Sequence, residues 1–116
     1  MRFGRHHPRV DEVGPARALE LARDGALLLD VREPDEWRAG HIRGSVHVPL
    51  GALDPTGIPR DVPVVAVCRS GNRSGTAAAA LAAHGYDVVN LAGGVTAWQR
   101  AGLALVTDDG EPGWVR

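Results

Sequence analysis

Short, nearly unbroken apolar runs separated by polar, glycine-rich turns set out this chain. Ala26-Leu27-Leu28-Leu29-Asp30-Val31 and Val64-Val65-Ala66-Val67 read as strands covered on both faces, because a solvated face would impose alternation. Tyr86 to Leu91 reads as another strand. Ser45-Val46-His47-Val48-Pro49 is a further one, closed by proline, and Arg9-Val10-Asp11 is a short edge strand. Helical signals fall between them. Pro15 opens a first helix after Gly14, since the missing N–H of proline costs nothing at the first helical position. Ala18, Leu19 and Ala22 share a face of it, and Asp24-Gly25 ends it. Pro34 opens a short helical turn over Asp35 to Ala39, stopped by Gly40. An alanine-rich helix with Ser74 or its neighbour as cap runs to His84-Gly85. Gly93-Gly94 turns into a last helix, Val95 to Ala101, ended by Gly102. Residues 50–63 hold Gly51, Pro55, Gly57, Pro59 and Pro63 and read as loop, with one helical turn at Ala52–Leu53.

Strands alternating with helices, without repeats or a linker, predict one α/β domain with a mainly parallel sheet. Its expected bounds are residues 9–104, after a flexible lead-in over 1–8 and before an irregular tail over 105–116. His6 and His7 sit in that lead-in with no third ligand nearby, so a solvated tail is the simpler reading and no metal is expected.

Composition narrows the function classes. The 116 residues fit one domain, 44% hydrophobic and 23% charged, with net charge -1. That balance gives bulk charge no role in binding nucleic acid or a membrane surface. No apolar stretch approaches the roughly 18 residues of a spanning helix, and the basic N-terminus lacks the apolar core of a signal peptide. A reducing cytoplasm is the expected compartment. The one cysteine excludes an internal disulfide and a cysteine-rich metal site.

In open parallel sheets, sites form at the C-terminal ends of strands. Three predicted strands end in polar chemistry there: Asp30 with Arg32, His47, and Cys68. The last opens the stretch Cys68-Arg69-Ser70-Gly71-Asn72-Arg73-Ser74. A strand ends at a thiol, turns through Gly71 and feeds a helix, so inward backbone amides and the positive helix end converge on sulfur. Arg69 and Arg73 add positive charge, and the thiol should ionise well below its free value of about 8.5. Ser70, Asn72 and Ser74 double as turn and cap residues.

Spacing selects the substrate class. Cys68 to Arg73 is Cys-x4-Arg, one residue shorter than the Cys-x5-Arg loop of cysteine phosphatases, which must encircle a phosphate. The smaller bowl suits a single sulfur atom on the cysteine, held by the same amides that activate the thiolate. A pre-formed thiolate needs no general base.

This loop resembles the active-site loop of the rhodanese family of sulfurtransferases. Leu28 to Trp37 is similar to that family's Asp-Val-Arg segment, His41 to Leu50 to its Gly-His-Ile-x-Gly-Ala-x-Asn-Ile-Pro segment, and Leu91 to Trp98 to its Gly-Gly-x-x-x-Trp ending. Four segments in one register cover about residues 9–104. Ser45 stands where alanine is common. His47 stands where asparagine is common; it either tunes the site or is a neutral histidine hydrogen-bonded at a strand end.

The resemblance implies a three-layer α/β fold, a central five-stranded parallel sheet flanked by helices on both faces. It implies that Cys68 takes the outer sulfur of thiosulfate or a related donor as a persulfide and yields it to cyanide or a thiol, without cofactor. Arg69, Ser70, Gly71, Asn72, Arg73 and Ser74 would bind the donor. Asp30, Arg32, Glu36 and His41 would be framework, with Asp30 tying the loop by hydrogen bonds. Trp37 and Trp98 are assigned to packing over the helices. With no second thiol, a small molecule or a partner protein must discharge the sulfur. A sulfur carrier serving a relay protein, with little turnover on small donors, is therefore the alternative. A phosphatase or arsenate reductase is disfavoured by loop length, and an inactive regulatory domain by the intact Cys68 and arginines.

Overall fold

The computed structural model describes residues 10–116. The expected lead-in and its histidine pair lie outside the described residues. Five strands and four helices follow one another in the order β1 (Asp11–Val13), α1 (Pro15–Arg23), β2 (Leu27–Asp30), α2 (Pro34–Ala39), β3 (Val46–His47), β4 (Val64–Val67), α3 (Asn72–Ala83), β5 (Val88–Leu91) and α4 (Gly94–Arg100). The strands form one sheet in the order β1-β5-β4-β2-β3, and every neighbouring pair is parallel.

Two apolar cores explain why the central strands read as unbroken hydrophobic runs. Successive side chains of a strand point to opposite faces. Val64, Ala66 and Cys68 therefore face the first core, with Leu29 and Val31 from the β2 side and Ala77, Ala78 and Leu81 of α3. Val65 and Val67 face the second, with Leu28, Leu91, Ala18 of α1, and Val95 and Trp98 of α4. Helices thus cover both faces of the sheet. The alanines of α3 let that helix lie close on the strands, where larger side chains would hold it off.

The observed elements differ from the sequence expectations at their ends. The edge strand is Asp11–Val13, shifted toward the C-terminus because its register sets Val13 beside Leu91 of β5. Tyr86 is not in β5. Its backbone N–H closes the turn after α3 on the Leu81 carbonyl oxygen, and its hydroxyl lies within donating distance of the carbonyl oxygens of Pro55 and Ile58. The stretch after β3 makes two short 3₁₀ turns, Leu50–Ala52 and Pro55–Gly57, rather than one.

The last residues lack helix and regular strand but are packed. Val106 exchanges two backbone hydrogen bonds with His41 (2.9 and 2.8 Å) in an antiparallel bridge, and the Trp114 N–H donates to the Ala39 carbonyl oxygen at 2.9 Å. Leu105 is buried. Gly113 crosses Gly40 so closely that a Cβ on Gly40 would lie 2.5 Å from the Trp114 nitrogen.

Strand order also places the site. The chain leaves β2 toward β3 on one side and leaves β4 toward β5 on the other. The C-terminal ends of these adjacent strands therefore flank a crevice that no crossover covers.

Candidate active site

Cys68 directly follows β4, beside that crevice, and is buried. The chain then needs a sharp reversal into α3. Gly71 makes it at φ 106°, a left-handed conformation that side-chain-bearing residues rarely adopt, and stands as the helix N-cap. Gly71, not Ser74, therefore caps α3. Ser74 lies inside the first turn and is fully buried.

The loop is held from below by the start of α4. The Val95 and Thr96 N–H groups donate to the carbonyl oxygens of Cys68 (2.9 Å) and Arg69 (3.1 Å). This close approach requires Gly94, where a Cβ would collide with those same two carbonyl oxygens. With its carbonyls turned to α4, the loop directs its N–H groups to the thiol. The Gly71 N–H donates to Cys68 Sγ at 3.1 Å, and Ser74 Oγ stands 3.2 Å from Sγ.

These contacts decide the acidity of the thiol. Burial pushes Cys68 up, but the Ser74 hydroxyl and then the backbone N–H groups of Ser74, Gly71 and Ser70 outweigh it, leaving the thiol below its ordinary value. A cysteine at the N-terminus of a twelve-residue helix also meets the positive end of its dipole.

The two arginines are placed differently from one another. Arg69 is exposed, and its Nε donates to the backbone oxygen of Arg116 at 2.9 Å. Arg73 reaches across to α2, where Nη1 and Nη2 meet Glu36 Oε1 and Oε2 at 2.6 and 2.8 Å. Glu36 is drawn down to about 2, chiefly by its hydrogen bonds from Arg73. Hydrogen bonds from the loop, rather than a free cation, thus lower the thiol. Ser70 and Asn72 are exposed at the rim.

Asp30 and Arg32 form a buried pair, Nη2 to Oδ2 2.8 Å and Nε to Oδ1 2.9 Å. Arg32 also donates to the carbonyl oxygens of Gly40 (2.8 Å) and Glu36 (3.3 Å). The pair therefore clamps α2 at its third residue and its C-cap, and α2 presents Glu36 to Arg73. The expected tie from Asp30 to the loop is replaced by this indirect one: among the described residues the Asp30 carboxylate bonds the Arg32 side chain and backbone N–H, not residues 68–74.

His47 Nε2 donates to the Arg32 carbonyl oxygen at 2.7 Å. His41 Nδ1 donates to the Trp37 carbonyl oxygen at 2.8 Å. Trp37 lies parallel to both rings, with centroids 3.6 Å from His41 and 4.8 Å from His47, so it stacks on two imidazoles. Trp98 is buried under the sheet, and its Nε1–H donates to the Ala104 carbonyl oxygen at 3.1 Å.

One site residue escaped the sequence reading. Asn90 of β5 accepts from Ser74 Oγ at 2.6 Å and donates to the Gly71 carbonyl oxygen at 2.9 Å. Its signal was present as a polar residue within the apolar run Val88 to Leu91.

A family model described as a rhodanese-like domain matches residues 15–101. The chain belongs to the rhodanese-like domain family. Over 90 residues it is 38% identical to the thiosulfate sulfurtransferase GlpE of Ectopseudomonas mendocina, covering 75% of this chain and 83% of that protein. A sulfurtransferase of Allochromatium vinosum is 41% identical over 90 residues, 75% of this chain and 84% of its own length. The chain spans about half, 52%, of an uncharacterised Synechocystis protein to which it is 38% identical over 93 residues. The crystal structure of a rhodanese-related protein from Thermoplasma volcanium matches with TM-score 0.80 at 30% identity, covering 84% of this rhodanese-like chain and 99% of that one.

Among the described residues no helix is long and apolar enough to cross a membrane, and no group of three or more His, Cys, Asp or Glu could hold a metal ion.

Proposed function

We propose that this rhodanese-type sulfurtransferase carries sulfane sulfur on Cys68. The Cys68 thiolate attacks the outer sulfur of thiosulfate. The Sγ–S bond forms, the sulfur–sulfur bond of the donor breaks, and its electron pair leaves with sulfite. The product is a Cys68 persulfide with charge on the outer sulfur. Transfer to cyanide gives thiocyanate and returns the thiolate; transfer to a thiol gives a new persulfide.

The observation that carries this reading is the convergence on one sulfur of the Gly71 N–H and the Ser74 hydroxyl, 3.1 and 3.2 Å from Sγ. Donors aimed at a developing negative charge are what a sulfur-transfer site must supply. Arg69, Ser70 and Asn72, exposed at the rim, would meet the incoming anion, while Arg73 stays anchored on Glu36.

Incubation with thiosulfate followed by intact-mass measurement tests it. A gain of one sulfur atom, discharged by cyanide and missing in Cys68→Ser, is the expected result. Absence of an adduct with every sulfane-sulfur donor would overturn the reading.

A further inference from the structure

One hydroxyl proton in the site has two acceptors. Ser74 Oγ stands 2.6 Å from Asn90 Oδ1 and 3.2 Å from Cys68 Sγ, and all three residues are buried. A serine hydroxyl carries a single proton, so it serves one of them at a time. The Asn90 amide cannot rotate to relieve the competition. Its nitrogen donates to the Gly71 carbonyl oxygen at 2.9 Å and to Glu12 Oε2 at 3.0 Å. Both partners accept only, so Oδ1 is left facing Ser74. The sheet supplies this orientation, because β5 runs between β1 and β4 with Asn90 paired to Glu12 on one side and Ala66 on the other.

We propose that Asn90 is a positioning residue that makes the Ser74 hydroxyl a two-position switch, bonded to Asn90 Oδ1 while Sγ is uncharged and to Sγ when it is a thiolate. The catalytic meaning of the switch rests on Cys68 carrying sulfur; the switch itself needs only an ionisable thiol. In the uncharged state the shorter bond to Asn90 holds the proton. On ionisation the hydroxyl turns to sulfur and Asn90 Oδ1 gives up its donor, so Asn90 offsets part of the stabilisation that Ser74 provides.

The consequence falls on discharge. The persulfide takes a proton from water on its outer sulfur, and an acceptor thiolate then attacks that sulfur. The new sulfur–sulfur bond forms, the Sγ–S bond breaks with its electron pair passing to Sγ, and the proton stays on the transferred sulfur. Charge appears on Sγ at that moment, and Ser74 turns to meet it. A better stabilised thiolate leaves faster but attacks the next donor more slowly. Asn90 sets the compromise between the two half-reactions.

The pH dependence of Cys68 alkylation by iodoacetamide tests this on the full chain, with thermal melts as a control for folding. Ser74→Ala should raise the midpoint by about one unit, the loss of one hydrogen bond to a charged group. Asn90→Ala should lower it, by about half a unit, because Sγ becomes the only acceptor. In the double variant the downward shift should vanish, since it acts through Ser74. An upward shift or none in Asn90→Ala, or a downward shift that persists without Ser74, overturns the switch.

A second measurement needs no variant at position 90. In the wild-type protein the Asn90 ¹³Cγ resonance should titrate with the alkylation midpoint of Cys68, and a resonance flat across that range also overturns it. These readings do not depend on sulfur transfer. Shifts as stated without an adduct from any sulfane-sulfur donor would sink the persulfide reading alone, and an adduct without the shifts would sink the switch alone.

Discussion

Arg73 and Glu36 meet at two points, 2.6 and 2.8 Å, and so join the thiol loop to the helix that the Asp30–Arg32 pair clamps. The loop is thus held from two directions, laterally by α2 and from below by the start of α4. The positive charge that the sequence suggested beside the thiol is largely matched by this carboxylate, which leaves directed hydrogen bonds as the main source of thiol acidity.

That pair makes the fold sensitive to acid. Glu36 is held at about 2 against an ordinary 4.5. A carboxylate depressed in the folded state contributes stability that is fully present above its unfolded value and is lost as pH falls through the folded one. With Arg73 37% exposed, solvent screening leaves about 1–2 kcal/mol, lost between about pH 4.5 and 2. Urea unfolding at pH 5.5 and pH 3 should show this loss in the wild type and a smaller one in Glu36→Gln. Equal losses would remove Glu36 as its source.

Arg73→Ala should move the alkylation midpoint of Cys68 upward by less than Ser74→Ala does, because Ser74 contacts Sγ while Arg73 contacts Glu36. The two variants measured side by side settle the order. A larger shift for Arg73→Ala would restore net charge as the dominant cause.

Arg32 is wholly buried, and its partner Asp30 is as well. Removing one member of a buried pair leaves an uncompensated charge and typically costs about 3–5 kcal/mol. Arg32→Ala should lose that much in urea denaturation and loosen α2, seen as faster amide exchange at Trp37 and Gly40. A loss below about 1 kcal/mol would fit only a surface pair.

Gly94→Ala places a methyl group against the Cys68 and Arg69 carbonyl oxygens at φ 59°. The loop must move, at a cost of more than about 2 kcal/mol from overpacking and left-handed strain together. Thiol acidity should be lost with it, giving an alkylation midpoint near that of a free cysteine. Gly25→Ala serves as the control, since it shares a positive φ of 101° but has open space for a methyl group. If both variants keep the wild-type midpoint, α4 does not support the loop.

Gly40 is extended at φ 166°, so its need for glycine is steric and lies in the Trp114 backbone crossing it. Gly40→Ala should release the last residues, raising amide exchange at Trp114 while leaving β4 protected. Arg116→Ala, which removes only an exposed pair with Asp35 (2.9 Å), should change stability by less than about 0.5 kcal/mol.

Much of this was legible along the chain. Doubly covered strands read as unbroken apolar runs, prolines and glycines mark where helices begin and end, and the loop from Cys68 to Ser74 stands out as polar chemistry on the end of a buried strand. These are local properties, set by side-chain periodicity and backbone freedom within a few residues. Residues 105–116 were opaque because their packing depends on two glycine backbones crossing, which leaves no hydrophobic pattern.

Partners distant in sequence were decided only by the tertiary structure. Arg73 finds Glu36 37 residues away, and Ser74 finds Asn90 16 residues away. Which of several arginines pairs with which carboxylate, and which buried amide faces a hydroxyl, depends on strand order and register, and no local rule encodes either. The sequence by itself determined that a thiol would sit in a tight turn at the head of a helix. The sheet decided what competes with that thiol for the Ser74 hydroxyl, by bringing Asn90 of β5 within 2.6 Å of it.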